Sequence, residues 1–401
     1  MSPPLRLRMT ARSIDEPHRT ATQLELFFDL TFVVAIAALT SRFAHAVEDG
    51  HALDALVPCL QVFFAIWWAW MNHTWFASSF DTDDVAFRLL TLVQMAGVLV
   101  LAAGVPAALE DNDYTAVTSG YLVMRVGLIA QWLRAAVEDP ASRRTALRYA
   151  VGITLADAGW VARLLVADEL SDGWLLALFG ALTAFELAVP LWAERARPTS
   201  WHPHHIAERY GLFAIILLGE SVLAAFMGVQ RALADDGVSA PLVAVGVAAL
   251  VLVFALWWLY FLQPVGDGLA ASRDRSYLWG YGHYGVFAAL ALVGAGLEAA
   301  VAHAGGQVAA STVAIGYAIA APVAAFLVLV WWLHVPLIAR PVLHPAVMLG
   351  GAGAVLLVPL VGASLTVSVG LLALVCAVVV AATLALDRDA WPVLVEPLEA
   401  R

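Results

Sequence analysis

Residues 24–44 read Leu-Glu25-Leu-Phe-Phe-Asp29-Leu-Thr-Phe-Val-Val-Ala-Ile36-Ala-Ala-Leu-Thr40-Ser-Arg42-Phe-Ala. An apolar run of about 20 residues is the length a helix needs to cross the hydrocarbon of a bilayer. The run shows no period-2 alternation, so it reads as a helix and not as a barrel strand. Composition extends that reading to the whole chain of 401 residues, which is 62% hydrophobic and 13% charged with mean hydropathy +0.82. A water-soluble globule is nearer half apolar and a quarter charged. The chain therefore reads as an all-α, polytopic transmembrane helical bundle.

Apolar runs between polar breaks predict twelve spans, at 24–44, 53–76, 86–109, 114–137, 146–166, 173–193, 206–229, 240–262, 278–302, 308–334, 343–363 and 365–386. Only Val361-Gly-Ala-Ser-Leu-Thr separates the last two, so an eleven-span reading stays open. The chain has no lysine, and orientation rests on its 21 arginines. With the N-terminus inside, 17 of them fall on the cytoplasmic side and three (Arg42, Arg163, Arg231) outside, while Arg125 is buried. Acid marks the opposite loops: Glu48-Asp49, Glu110-Asp111 with Asp113, Asp168-Glu169 and Asp235-Asp236. Both termini are expected in the cytoplasm of a multi-pass protein of the bacterial inner membrane. Residues 1–20 hold four arginines and no apolar core, so they read as a cytoplasmic tail and not as a cleaved signal.

The signals recur half a chain apart. Glu25 is matched by Glu208, and Trp67-Trp68-Ala-Trp70 by Trp257-Trp258-Leu-Tyr260. An acidic loop follows each, Asp81-Thr-Asp83-Asp84 and then Asp267 with Asp274, and Gln94 and His283 occupy similar places in the third and ninth spans. We read two six-helix repeats, 21–195 and 206–386, in parallel orientation because six spans is an even number, joined by a cytoplasmic linker 196–205 and followed by a C-terminal tail 387–401.

At these residues the chain resembles the bacterial low temperature requirement A (LtrA) family over nearly its full length. The resemblance rests on Glu25-Leu-Phe-Phe-Asp29-Leu, Trp67-Trp-Ala-Trp-Met-Asn72-His-Thr-Trp75-Phe, Asp81-x-Asp83-Asp84, Arg88-Leu-Leu with Gln94-Met, Val123-Met-Arg125, Gln131-Trp-Leu-Arg134-Ala-Ala, and Glu208-Arg209-Tyr-Gly211-Leu-Phe through Gly219-Glu220-Ser221. Tyr210 stands where the family pattern leads one to expect His or Phe. The resemblance implies a polytopic bacterial membrane protein linked by name to growth in the cold, and no particular reaction or substrate. A second, fainter resemblance joins Phe28-Asp29-Leu-Thr-Phe32-x-x-Ala35-Ile36 to the start of the non-classical, twice-six-helix potassium channels, and it implies a pore-lining role for the helix carrying Asp29 and Ile36. The second half departs from that pattern, since Gly211-Leu-Phe213 holds no Asp.

Ionisable groups at membrane depth are expensive, so each one is a candidate site. Glu25, Asp29, Phe32, Ile36 and Thr40 share one helical stripe. Glu25 reads either as a helix-start cap or as a functional acid, and Asp29, one turn deeper, as a functional acid. Glu220 follows about 14 residues of its span, which at ~1.5 Å per residue puts it ~21 Å from the cytoplasmic end. Its neighbours Gly219 and Ser221 leave room for a close backbone or for water, although a permanent partner such as Arg125 is the alternative. Arg125 needs a carboxylate, and Asp157 or Glu186 can supply it. His283 and Glu298, on one broad face of the ninth span, suit a proton relay, or simple packing. His202-Pro-His204-His205 lacks the ligand spacing of a metal site, so no metal is expected. The tryptophans read as interfacial anchors, with Trp67, Trp68, Trp257 and Trp258 as a lesser candidate for a cation path. Cys59 and Cys376 lie in apolar runs and suggest no disulfide.

Walker-type loops, His-Glu-x-x-His and Gly-x-Ser-x-Gly are absent from the sequence, so an ATP-driven pump or a familiar hydrolase is disfavoured and no cofactor is expected. Nucleic acid is disfavoured as well, since net charge is −11 and no basic stripe lies outside the loops. The expected function is a secondary transporter or proton/cation-coupled permease. In it Asp29, Ile36, Glu220, Ser221, His283 and Glu298 form the pathway, and Glu25, Glu208, Arg209, Arg125, Asp157, Glu186 and Gln94 hold or gate the bundle. A passive cation channel and a membrane enzyme or lipid-handling factor are the alternatives. Expected partners are membrane lipid and a small cation or proton, with the nearly uncharged spans ten to twelve available for lipid contact or homodimer formation.

Overall fold

The computed structural model describes residues 5–14, 16–17, 19–235, 240–305, 308–338 and 341–386. The expected C-terminal tail 387–401 with Arg388 and Arg401, together with Arg340, Asp236 and the side chains of Arg231 and Asp235, lies outside the described residues. Among those described there is no strand. The chain runs α1 (Gln23–Glu48), α2 (Ala52–Phe80), α3 (Val85–Glu110), α4 (Thr115–Glu138), α5 (Arg143–Leu165), α6 (Asp172–Glu194), α7 (Pro203–Asp235), α8 (Ala240–Phe261), a short α9 (Val265–Ala271), α10 (Ser276–Ala304), α11 (Thr312–His334), α12 (Pro345–Leu357) and α13 (Leu365–Leu386).

Each of the twelve apolar runs thus falls on a helix. Among the described residues, eight segments are long and apolar enough to cross a membrane, those built on α1, α2, α3, α6, α8, α10, α11 and α13. The long helices α4, α5 and α7 carry ionisable residues in their middles, Arg125, Asp157 and Glu220. The helix α12 is short, and with the 3-10 turn that follows it reaches only Val361. Gly362, at φ +70°, then breaks the chain before α13, so the last two apolar runs are separate helices.

The chain forms two compact units, one of residues 1–42 and 53–213, the other of residues 43–52 and 214–401. In the first, α3 packs on α4, α4 on α5 and α5 on α6. The α3–α4 contact is close because glycines face each other there. A Cβ on Gly97 would lie 2.6 Å from the Gly120 carbonyl oxygen, and one on Gly120 would lie 2.3 Å from the Leu101 nitrogen. Lipid-embedded helices gain nothing from expelling water between them, so small residues that admit backbone contact supply the dispersion energy. A buried aromatic group, with Trp132 stacked on Tyr149 at 4.1 Å and edge-on to Phe76 at 4.7 Å, continues the core across α2, α4 and α5. In the second unit α10 packs on α11 and α8, α8 on α13, and α12 on α11 and α13.

The N-terminal segment, read as a cytoplasmic tail, is held in place. Residues 5–13 form neither helix nor strand and are tied to the ends of the first unit's helices. Asp84 caps α3 by accepting from the Phe87 N–H at 2.8 Å, and the same carboxylate accepts the Leu7 N–H at 2.7 Å and a fork of bonds from Arg134 at 2.5 and 2.9 Å. Glu138 accepts the Met9 N–H at 2.6 Å and the Arg6 guanidinium, while Met9 itself is fully buried. Burial alone would raise Asp84, but its bonds from Arg134 and from the Leu7 and Phe87 N–H groups hold it well below the usual carboxylate range.

Candidate functional site

The helix α1 opens on a capping box. Thr22 precedes the helix, and Glu25 sits at its third position. The Thr22 hydroxyl accepts the Glu25 N–H at 3.3 Å, and the Glu25 carboxylate accepts the Thr22 N–H at 2.8 Å. Glu25 is thus the helix-start cap, and its other oxygen is a hub of charge, 3.0 Å from Arg209, 3.1 Å from His205 Nε2 and 3.5 Å from Arg19.

One turn deeper, Asp29 receives the Arg209 guanidinium as a fork, Nε at 3.0 Å and Nη2 at 2.5 Å, and the Trp70 indole N–H at 2.7 Å. Glu25, Asp29 and Arg209 are all at least 98% buried. The geometry follows from helix periodicity. Glu25 and Asp29 are four apart on α1, and His205 and Arg209 are four apart on α7, so two stripes of opposite chemistry meet. Fork binding by a planar guanidinium is the arrangement that best repays desolvation of such a pair. Asp81, just past the end of α2, lies 3.8 Å from Arg19. Burial and then the nearby Glu25 carboxylate push Asp81 up to about 6, against the Asp83 N–H, Arg19 and Arg12.

Two expectations change here. Glu208, read as the counterpart of Glu25, is exposed and bonds only the Ala21 N–H, at 3.1 Å. It is Arg209 and His205 that turn inward. His205, placed by the sequence in a linker, is fully buried in the first turns of α7, and Pro203 at the start of that helix was the available signal. His202 and His204 stand 5.7 Å apart by ring centroid while His205 turns to Glu25. Among the described residues no group of three or more His, Cys, Asp or Glu could hold a metal ion.

A second buried network in the first unit centres on Glu186 of α6. Its carboxylate accepts from Arg125 at 2.7 Å, Trp68 at 2.7 Å, Tyr121 at 2.7 Å and Trp160 at 3.0 Å. Of the two acids open to Arg125, Glu186 is the partner. Asp157 makes no hydrogen bond through Oδ1. With four donors on one carboxylate this network is a lock of the bundle. Trp67, Trp68 and Trp70 are buried here and so are not interfacial anchors, whereas Trp257 and Trp258 are roughly half exposed. Gln94 bonds Gln131 at 2.9 Å, and Gln131 bonds Thr91 at 3.1 Å, which joins α3 to α4. Ile36 is fully buried, and its carbonyl accepts the Thr40 hydroxyl at 3.0 Å.

The second unit holds the remaining candidates. Glu220 is buried on α7 and, among the described residues, makes no hydrogen bond or ion pair. Among the described residues the charge that acts on it is a like one, Glu298 of α10. Ser221 beside it is buried against Gly294 of α10, where a Cβ would come 3.2 Å from the serine oxygen. Gly219 has no atom within 4 Å of its Cβ position, so the close approach is made by Ser221 and Gly294. His283, near the other end of α10, bonds the Trp279 carbonyl through Nδ1 at 2.7 Å. Its ring lies 5.8 Å from that of His334, and the Tyr260 ring lies 5.9 Å from His283 and 5.7 Å from His334. His334 was not foreseen, since a single histidine at the end of an apolar run carries no pattern.

The chain matches the family described as "Bacterial low temperature requirement A protein (LtrA)" over residues 20–385. It is 28% identical over 291 residues to a Rhizobium meliloti (strain 1021) protein named "Uncharacterized protein RA0937", a likeness that covers 70% of this chain and 69% of that protein. No solved structure matches it.

Proposed function

The chain belongs to the bacterial low temperature requirement A (LtrA) family, and from that premise we propose that it is a secondary transporter, a proton- or cation-coupled permease of the inner membrane. We read it as twelve spans in two parallel six-helix repeats with both termini cytoplasmic. The observation that carries the coupling site is Glu220. It is a buried carboxylate on α7 with no base against it among the described residues, and a second, half-buried carboxylate, Glu298 of α10, acts on it as a like charge. A buried acid beside a like charge favours its protonated or cation-bound form, and such a group can bind and release a proton or cation as the bundle moves. Ser221 adds an oxygen beside the pair, and the open space at Gly219 gives an ion room to approach.

Asp29 is a weaker candidate than the sequence suggested, because Arg209 and Trp70 occupy both its oxygens. That occupation also counts against a cation channel lined by the Asp29–Ile36 face. The test is ion flux in proteoliposomes holding a pH-sensitive dye, driven by imposed proton, sodium or potassium gradients. Protein-dependent flux that falls at least tenfold in Glu220→Gln and in Glu298→Gln is the expected result. Flux unchanged in both variants removes the pair from the mechanism, and unitary currents in a planar bilayer would replace the carrier with a channel.

A further inference from the structure

The first unit contains a small pocket that the coupling site does not use. It lies where the start of α4, the end of α5 and the early turns of α2 and α6 converge, and Gln61, Tyr114, Thr118, Trp160, Arg163 and Phe179 line it. Its free volume is about 30 Å³. That equals the share of liquid volume taken by one water, ~30 Å³, so a single small occupant fits.

Arg163 is the informative residue. It is 92% buried, and its guanidinium packs over the rings of Tyr114 at 5.2 Å and Phe179 at 5.9 Å. Its Nε donates to the Leu175 carbonyl at 3.2 Å, yet among the described residues no carboxylate lies within ion-pair distance of it. A buried guanidinium keeps its charge and has five donors to satisfy, of which one is used. The C-terminal dipole of α5 offsets only part of that charge.

The other polar groups at the pocket fit the same occupant. The Tyr114 hydroxyl donates to Gln61 Oε1 at 2.7 Å, which leaves the Gln61 amide N–H₂ as its free end. The Thr118 hydroxyl can donate as well. These polar groups line a water-sized space beside a guanidinium that has no ion-pair partner among the described residues, and aromatic rings form much of the rest of the wall. A cation is excluded by the arginine, and a large organic anion by the volume.

We propose that this pocket is a binding site for a small monovalent anion of the chloride class, held by Arg163, Gln61 and Thr118. The site is separate from the Glu220–Glu298 pair, and its test needs no transport activity. Purified full-length protein is titrated with sodium chloride, and separately with sodium gluconate, at constant ionic strength. Thermal unfolding and the broadening of the chloride resonance in chlorine NMR are read together. A saturable rise in Tm and specific line broadening with chloride but not with gluconate are expected, both lost in Arg163→Gln. Equal responses to the two salts in the wild-type protein overturn the proposal, as does an unchanged chloride response in Arg163→Gln. Should Arg163→Gln fail to fold, Gln61→Leu and Thr118→Val keep the guanidinium and each remove one donor. Each is expected to weaken the apparent Kd about tenfold, the worth of one hydrogen bond to a charged group. Wild-type affinity in both would equally overturn it.

Discussion

Replacing Arg209 by Gln tests whether the α1–α7 charge cluster locks the first unit. The guanidinium makes two bonds to Asp29, at 3.0 and 2.5 Å, and a third contact of 3.0 Å to Glu25. Without it Asp29 keeps only the Trp70 indole, and Glu25 keeps the Thr22 N–H, His205 and the more distant Arg19. Removing one partner of a buried pair costs about 3–5 kcal/mol, because a charge is left in low dielectric. Asp29→Asn discards the charge but keeps a carbonyl for Trp70, so its cost is smaller, ~1–3 kcal/mol, the size of lost charge-assisted bonds. Once Asp29 is neutral, the orphaned charge in Arg209→Gln is largely gone, so the double variant should be well short of the sum, with a coupling of about 2 kcal/mol. Unfolding by titration with sodium dodecyl sulfate, followed by tryptophan fluorescence, measures all four corners of the cycle. An Arg209→Gln protein within ~1 kcal/mol of wild type, or single costs that add to within ~0.5 kcal/mol, refutes the lock.

Two further outcomes follow from the same geometry. Asp81 stands at about 6, above the usual aspartate value of 3.8, so the folded protein holds its proton more tightly than the unfolded chain does. Its contribution is therefore fully present below about pH 4 and is lost as pH rises through 6; Asp81→Asn should gain Tm relative to wild type on going from pH 4 to pH 8, and a pH-independent gap in thermal scans counts against the assignment. Gly120→Ala places a Cβ 2.3 Å from the Leu101 nitrogen and should cost ~1–3 kcal/mol, whereas Gly219→Ala meets no atom within 4 Å and should leave Tm unchanged or raised; equal effects of the two in thermal unfolding would contradict the α3–α4 contact.

The helices were legible because the bilayer sets their length: each apolar run of the sequence became a helix with ends shifted by a few residues. Glu25 was legible as a helix-start cap, and the structure adds Thr22 as its partner in a capping box. Cross-helix partners were not. Glu208 and Arg209 are adjacent in sequence, and their roles depend on where α7 begins. A start at Pro203 turns Arg209 and His205 inward and leaves Glu208 in solvent. Sequence narrowed the partner of Arg125 to two acids, and only packing chose Glu186, by bringing Trp68, Tyr121 and Trp160 to the same carboxylate. The docking of residues 5–13 has no periodicity to betray it, since half of its bonds use backbone N–H groups that every residue owns.

Compensation is what separates the buried acids. Glu25, Asp29 and Glu186 each face a guanidinium, and each would have to break a bond of about 3 Å or less to take up a proton or an ion. Such groups hold helices in place. Glu220 has no base to release among the described residues and feels a like charge, so in the proposed mechanism its proton or ion comes from outside the protein. The proposed duplication sharpens the contrast. Trp70 and Tyr260 occupy matching places in the two repeats and both are buried, but the indole of Trp70 is spent on Asp29, whereas Tyr260 lies against the rings of His283 and His334. If the two halves arose from one sequence, the Glu25 and Asp29 carboxylates of the first are fixed by Arg209 of the second, whereas Glu220 of the second has no guanidinium against it among the described residues. On the proposed reading as a coupled carrier, that contrast makes Glu220 the group that exchanges and the guanidinium-bound acids the groups that stay.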